Sequence, residues 1–421
     1  MRRYGWMAAL GVVVLLAAFV FWPKPAEMGA PRFFNDQTYN FEAIRVFSNN
    51  APFGGDVGEP SRAIEKIKVS DADSWFNAWD AEGNAALAFA AQTQDPINKG
   101  NAMIRAFDYY RSAEFFLQPN DSRRPVEWKK NTSAFYNGLN TLGVKYERIT
   151  APYGQHHLNA VYYPGPAGAE TRPLIVIMTG YDGTMEELYA QFGRAAYEHG
   201  YSLLTYEGPG QGSVLREQGL TFTPEWEKPN GAVLDAFLAN HPKPAKIVLI
   251  GESMGGYLAP RAAAFDSRID GVVAYDVYFD GYAVAARNVP KFAFWLHDHH
   301  WDGTLNLLAR LHNDTGGNWA QMNGMWTLGA KTPFGVLDAF KPYTLAPVAS
   351  RIHQDVLLMA GADDHFVPPD QMGKMQKALT GARSVTAITF SHESGGGEHC
   401  QVGASALWQA TIFDWIKAKF G

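Results

Sequence analysis

The sequence predicts an α/β fold: a mostly parallel, doubly wound sheet preceded by a helical domain. Three observations carry that expectation. Short apolar runs alternate with helix-compatible stretches from about residue 144 onward, at 174–178, 202–206, 247–250, 272–275, 356–360 and 385–390. Such alternation builds a parallel sheet covered on both faces. One of these runs, 247–250, feeds directly into Gly251-Glu252-Ser253-Met254-Gly255, which is a strand, a tight turn and then a helix. Residues 61–143, by contrast, hold few strand-forming runs and carry helical spacing instead.

Along the chain, Arg2-Arg3 precede an apolar stretch, 6–22, that Pro23-Lys24-Pro25 ends. A charged flank before such a stretch reads as an uncleaved membrane anchor or a signal segment over residues 1–25. The position of the positive charge places the body of the protein on the exported, extracytoplasmic side. Residues 26–60 are rich in Pro, Gly and Asn and read as a linker or arm. In the helical domain, 61–143, Asp73-Ser74 offers an N-cap, with Trp75, Ala78 and Trp79 at helical spacing. Asp95-Pro96 is a cap followed by proline at the first helical position. The catalytic domain then spans 144–421. Within it the alternation stops over about 280–345, where Trp295, Trp301, Trp319 and Trp326 lie among Gly, Asn and His. That stretch reads as an inserted helical lid.

Composition bounds the function. The 421 residues are 47% hydrophobic and 19% charged, as in a globular protein. A net charge of −6 gives no electrostatic case for nucleic acid. Cys400 is the only cysteine, so intrachain disulfides and cysteine-based metal clusters are excluded. The glycine-rich run Glu207-Gly208-Pro209-Gly210-Gln211-Gly212 lacks the Lys-Ser/Thr of a phosphate loop and the spacing of a dinucleotide fingerprint. It reads as a shaped loop near a pocket, and no cofactor is expected. His297-Asp298-His299-His300 looks like a metal cluster, but adjacent residues rarely converge on one ion, so no metal is expected.

The chemistry centres on Ser253. A serine on a sharp strand-to-helix turn needs neighbours without side chains, so that the backbone can crowd and the hydroxyl project. Such a nucleophile needs a base, and the base an orienting acid; where the serine sits on a nucleophile elbow of a doubly wound sheet, these follow in the order Ser, Asp/Glu, His. The acid is expected just past the strand at 356–360, where Asp364 is preferred to Asp363 for its Asp-x-x-Val-Pro spacing. The base is expected at His399, in a glycine-rich loop after the last strand, in preference to His392. The oxyanion donors are expected to be the amides of Met254 and Tyr181, with Asp182 as second choice in the same loop. Asp182, Glu207, Tyr109, Tyr110 and Trp326 are candidate pocket residues.

The motifs point further. GYDGTMEELY at 180–189, EGPGQG at 207–212, GESMGGYLAPRAAA at 251–264 and EHCQVG at 398–403 resemble one branch of the α/β-hydrolases. So does RAFDYYRSAEFFL at 105–117. The branch includes 2,6-dihydroxypseudooxynicotine hydrolase, the FrsA-like proteins and fungal polyketide-shortening hydrolases. The resemblance spans roughly residues 60–420. It implies a helical cap over the active site, a Ser253–Asp364–His399 triad, and a choice between ester cleavage and cleavage of a carbon–carbon bond beside a carbonyl. The loop departs from many relatives in beginning with Glu207, where aspartate is expected.

The expected function is therefore a serine hydrolase acting on a small, apolar or aromatic acyl substrate. Its membrane partner is met through the N-terminal segment, and its assembly stays open between monomer and homodimer. A prolyl-oligopeptidase-type peptidase shares the triad order but usually carries a β-propeller where this chain is helical. A hydrolase-like binding protein is the non-enzyme alternative, against which a complete triad argues.

Overall fold

The computed structural model describes residues 32–311 and 315–421. One eight-stranded sheet organises it, in the order β1-β2-β4-β3-β5-β6-β7-β8. The strands are β1 (Glu147–Tyr153), β2 (His156–Tyr163), β3 (Leu174–Met178), β4 (Leu203–Glu207), β5 (Ile247–Glu252), β6 (Gly271–Tyr275), β7 (Asp355–Gly361) and β8 (Ser384–Phe390). From β4 through β8 every pairing is parallel, while β1 and β2 form an antiparallel hairpin that joins β4 antiparallel. β3, β4, β5 and β6 are buried at every residue, because helices cover both faces. The six strands expected from apolar runs are present within one or two residues.

The β1–β2 hairpin lies outside that expectation: β1 carries no such run, and that of β2 is short, 160–163. β1 is an edge strand that buries only alternate residues, Ile149 and Ala151, so its sequence is half polar.

Ahead of the sheet the described residues form five α-helices: α1 (Gln37–Asn50), α2 (Gly58–Ile64), α3 (Ala72–Gln92), α4 (Pro96–Ala113) and α5 (Arg124–Thr141). Asp95 caps α4 as expected, through the Asn98 amide at 2.7 Å. The cap of α3 is Asp71, which accepts from the Ser74 amide at 3.0 Å, rather than Asp73. α3 buries Trp75, Ala78, Trp79, Ala86 and Ala90 on one face, and Gly83 admits the Tyr110 ring of α4.

α1 corrects the expectation of a linker over 26–60. It buries Asn40, Glu42, Arg45, Asn49 and Asn50, residues that read as loop in isolation. Each has a polar partner outside the helix: Asn40 the Phe33 amide, Glu42 Arg111, Arg45 Glu187 and Asp182, and Asn49 and Asn50 Asp108. The Trp-rich insertion is helical, with helices at Gly281–Ala285, Lys291–Asp298, Asp302–Leu311, Thr315–Thr327 and Pro333–Phe340. No helix among the described residues is long and apolar enough to cross a membrane, and the apolar stretch 6–22 lies outside them.

Candidate active site

Ser253 sits between the end of β5 and the helix Gly255–Ala263, with φ at +58°. A left-handed serine costs about 1–3 kcal/mol and persists only where its surroundings over-determine it. Here the Ser253 amide donates to the Tyr275 carbonyl of β6 at 2.5 Å. A Cβ at Gly251 would collide with the Gly255 carbonyl, and one at Gly256 with the Asp276 carbonyl. The two glycines are therefore what let the turn close this tightly.

The elements after β7 and β8 bring two partners to this serine. His399 opens a short turn, His399–Gln401, and its Nε2 lies 2.8 Å from Ser253 Oγ. Its Nδ1 lies 2.7 Å from Asp364 Oδ2. The other carboxylate oxygen of Asp364 accepts the Phe366 and Val367 amides at 2.7 and 2.8 Å. Asp364 and His399 are both buried. Burial alone would raise the Asp364 pKa, but the facing imidazole holds it down to about 2. Burial likewise works to lower that of His399, and Asp364 overrides it, holding the imidazole well above its ordinary range. An ionised Asp364 fixes the Nδ1–H tautomer, which leaves Nε2 free to accept the serine proton.

The rejected candidates pair with each other instead. Asp363 Oδ2 lies 3.3 Å from Nδ1 of the exposed His392. Behind the site, His365 Nδ1 lies 3.4 Å from Glu398, a buried pair that links the acid loop to the base loop.

The donor loop after β3 closes against the elbow: a Cβ on Gly180 would lie 2.6 Å from the Met254 nitrogen. This places the amides of Met254 and Tyr181 on adjoining segments at the serine. The loop is braced on several sides. Gln211 Nε2 donates to the Thr179 carbonyl at 2.6 Å, Asn323 Nδ2 to the Tyr181 carbonyl at 3.0 Å, and the Tyr181 hydroxyl to the Ala320 carbonyl at 2.8 Å.

A cavity opens on the far side of this loop. Tyr181, Asp182 and Trp326 line it, together with Arg111, Phe115 and Trp319. Ser253 and His399 are not among its lining residues.

Three candidate pocket residues lie elsewhere. Glu207 is fully buried beneath its own loop, where it accepts the Ser213 amide and hydroxyl at 2.7 and 2.6 Å and the Met185 amide at 3.2 Å. A carboxylate is needed there to tie off amides at two helix starts. Tyr109 stacks on Trp79 and donates to Glu59 at 2.7 Å, inside the helical domain. Tyr110 points the other way across α3, donating to Asn84 at 2.9 Å. Both tyrosines serve helix packing.

Several residues at the site were not singled out from the sequence. From α1, Phe41 packs near His399 and Phe366, with ring centroids 6.2 and 5.7 Å away. Arg45 grips both oxygens of Glu187 at 2.7 Å each and Asp182 at 2.7 Å, which clamps α1 onto the donor loop. Arg111, which the sequence does offer as a pocket residue beside Tyr109 and Tyr110, lines the cavity and adds longer ion pairs to Glu42, Asp182 and Glu187, at 3.4–3.6 Å. Asp276, fully buried at the end of β6, places Oδ2 3.5 Å from His399 Nδ1. An acidic residue at a parallel strand's carboxyl end was the available signal for Asp276. A buried arginine in an apparent linker offered none.

Among the described residues, Asp276, His399 and Cys400 form the one group of ligand-type atoms close enough to hold a metal. Their atoms are already engaged, His399 with Asp364 and Asp276 with the Cys400 amide and the Gln401 side chain. In the His297–His300 segment, His299 packs on Trp295 and His297 on Phe334.

Comparisons with known proteins agree with this architecture. The chain is 28% identical to hydrolase acrC of Aspergillus aculeatus, over 92% of this chain and 98% of that protein. It is 29% identical to 20-hydroxy-prefusarin hydrolase FUS2 of Gibberella moniliformis, over 92% and 97%. The crystal structure of 2,6-dihydroxy-pseudo-oxynicotine hydrolase superposes with a TM-score of 0.68 at 17% identity, covering 89% of this chain and 95% of that one. The family model of the alpha/beta hydrolase family matches residues 175–400, more than half of the chain. This protein therefore belongs to the alpha/beta hydrolase family and is a hydrolase.

Proposed function

We propose that the protein is a serine hydrolase that cleaves an acyl bond through Ser253, His399 and Asp364. The observation that carries this reading is the continuous hydrogen-bond chain from Asp364 through His399 to Ser253 on a left-handed turn. Ser253 attacks the carbonyl while His399 Nε2 takes its proton, and Asp364 holds the resulting imidazolium. The Met254 and Tyr181 amides bind the oxyanion, each worth about 3–4 kcal/mol of barrier. His399 then protonates the leaving group, and water, deprotonated by the same imidazole, releases the acyl group.

The leaving group is an alkoxide from an ester or a stabilised carbanion from a carbon–carbon bond. The resemblance to the carbon–carbon hydrolase branch keeps both within the proposal. Phe41 packs near His399, and Phe115, Trp319 and Tyr181 line the neighbouring cavity, which favours a small apolar or aromatic acyl group. Residues 1–25 are proposed to hold the enzyme at a membrane, with the hydrolase body on the extracytoplasmic side. The decisive assay compares turnover of aryl esters and β-diketones by the wild type and Ser253→Ala. Loss of all turnover with an unchanged unfolding transition is expected, and retained turnover overturns the reading.

A further inference from the structure

Two carboxyl groups flank the same imidazole nitrogen. Asp364 follows β7 and Asp276 follows β6, and these strands are hydrogen-bonded neighbours, with Tyr275 opposite Met359. The loop bearing His399 crosses both strand ends. Asp364 lies 2.7 Å from His399 Nδ1 and Asp276 3.5 Å. Asp276 is fully buried and faces the imidazole from its own direction, held by the Cys400 amide at 2.9 Å and by Gln401 Nε2 at 3.1 Å.

Those two hydrogen bonds have a visible purpose. Cys400 and Gln401 follow the base directly, and both are left-handed, with φ of +49° and +44°. Neither is glycine, so the turn needs external restraint. Asp276 supplies it, and the Tyr275 hydroxyl adds a bond to the Cys400 carbonyl. This role requires only hydrogen-bond acceptance. It leaves unexplained why a carboxyl, with one oxygen 3.5 Å from a ring N–H, stands where a neutral amide would serve.

We propose that Asp276 is a positioning residue for His399 that doubles as a second acid: when Asp364 is absent, its carboxylate accepts the Nδ1–H and keeps the imidazole in the reactive tautomer. The inference rests on the triad reading above. In the intact site the groups facing Asp276 are Asp364 from the β7 loop, His399 and Cys400 from the β8 loop, and Tyr275 from β6, while Glu252 of β5 acts on Tyr275 and Cys400. Burial, and then the Asp364 charge, push the Asp276 carboxyl up to about 8, so at neutral pH it keeps its proton. Removing Asp364 removes that repulsion. Burial still raises its pKa, but Asp276 then loses its proton at lower pH than in the intact site, and its Oδ2 has less than 1 Å to travel to reach hydrogen-bonding distance of Nδ1.

The test is a double-mutant cycle read by the rate of fluorophosphonate labelling, with Asp364→Ala, Asp276→Asn and the double variant. Asparagine at 276 preserves the turn, because its oxygen accepts the Cys400 amide and its amide can donate to a flipped Gln401 side chain, whose oxygen is otherwise unpartnered. On the wild-type background Asp276→Asn is expected to slow labelling by less than about 5-fold, and on the Asp364→Ala background by about 50-fold or more. The residual labelling of Asp364→Ala is expected to rise with pH as Asp276 ionises, and this limb should vanish in the double variant. Equal fold-losses on both backgrounds would reduce Asp276 to a clamp of the turn. Asp364→Asn, which keeps the oxygen for the Phe366 and Val367 amides, repeats the cycle if the alanine variant does not fold. Labelling that survives Ser253→Ala would instead remove the triad reading itself.

Discussion

His399 stands between one hydroxyl and two carboxyls, and its protonation sets the rate of the proposed reaction. Its imidazole must be neutral to take the serine proton. Because Asp364 raises its pKa well above the ordinary value of 6.5, the imidazolium persists to higher pH than usual. The rate constant kcat/KM is therefore expected to climb with pH through a midpoint above that of a free imidazole. Removing both carboxyls, in the Asp364→Ala/Asp276→Asn double variant, removes the charge that favours the imidazolium, so the limb should move to lower pH as the rate falls by about 10⁴-fold. A pH–rate profile of both proteins checks the sign, and a limb that moves to higher pH contradicts the assignment.

Ser253, Asp364 and His399 were legible in the sequence because chemistry restricts the residue types and the fold restricts their order. Asp276 was not, since one aspartate at a strand end differs in no local way from a turn residue.

At the scale of elements, the sheet was legible and the N-terminal arm was not. The central strands are buried on both faces, so their sequences are apolar without interruption. α1 is buried through paired polar groups, and sequence patterning reports apolar burial alone. Its clamp is strong. Burial works to raise the Glu187 pKa, yet Arg111 and Arg45 hold it down to about 2. Arg45→Ala would leave the buried Glu187 and the partly buried Asp182 with only the longer Arg111 contacts, and should destabilise the fold by about 3 kcal/mol, measured by denaturant unfolding. Arg45→Lys restores the charge but not the two-pronged contact with Glu187, so it should recover only part of that loss. Because Arg45 also holds Asp182, both variants should lower kcat more than they raise KM. Full activity in Arg45→Ala would show that the donor loop holds its shape unaided.

For the whole molecule, the helices before the sheet and the insertion within it meet over one end of the strands. Thr38 of α1 abuts Gly316, Ser70 Oγ lies 2.9 Å from Thr315 Oγ1, and Phe115 stacks on Trp319 at 4.6 Å. The cap is thus part of the catalytic body. Removing residues 1–25 should leave activity intact and shift the protein from the membrane to the soluble fraction, as fractionation would report. Removing residues 1–50 should abolish activity with loss of cooperative unfolding, because α1 leaves with them. A soluble full-length chain would contradict the proposed anchor.

The central claim is that Ser253 is an activated nucleophile, and covalent labelling tests it without knowledge of the substrate. The folded enzyme is treated with a fluorophosphonate and examined by intact mass spectrometry and peptide mapping. One adduct on Ser253, absent in Ser253→Ala and slowed severely in His399→Ala, is the expected result. A folded protein that takes no label, or takes it on another residue, would contradict the account.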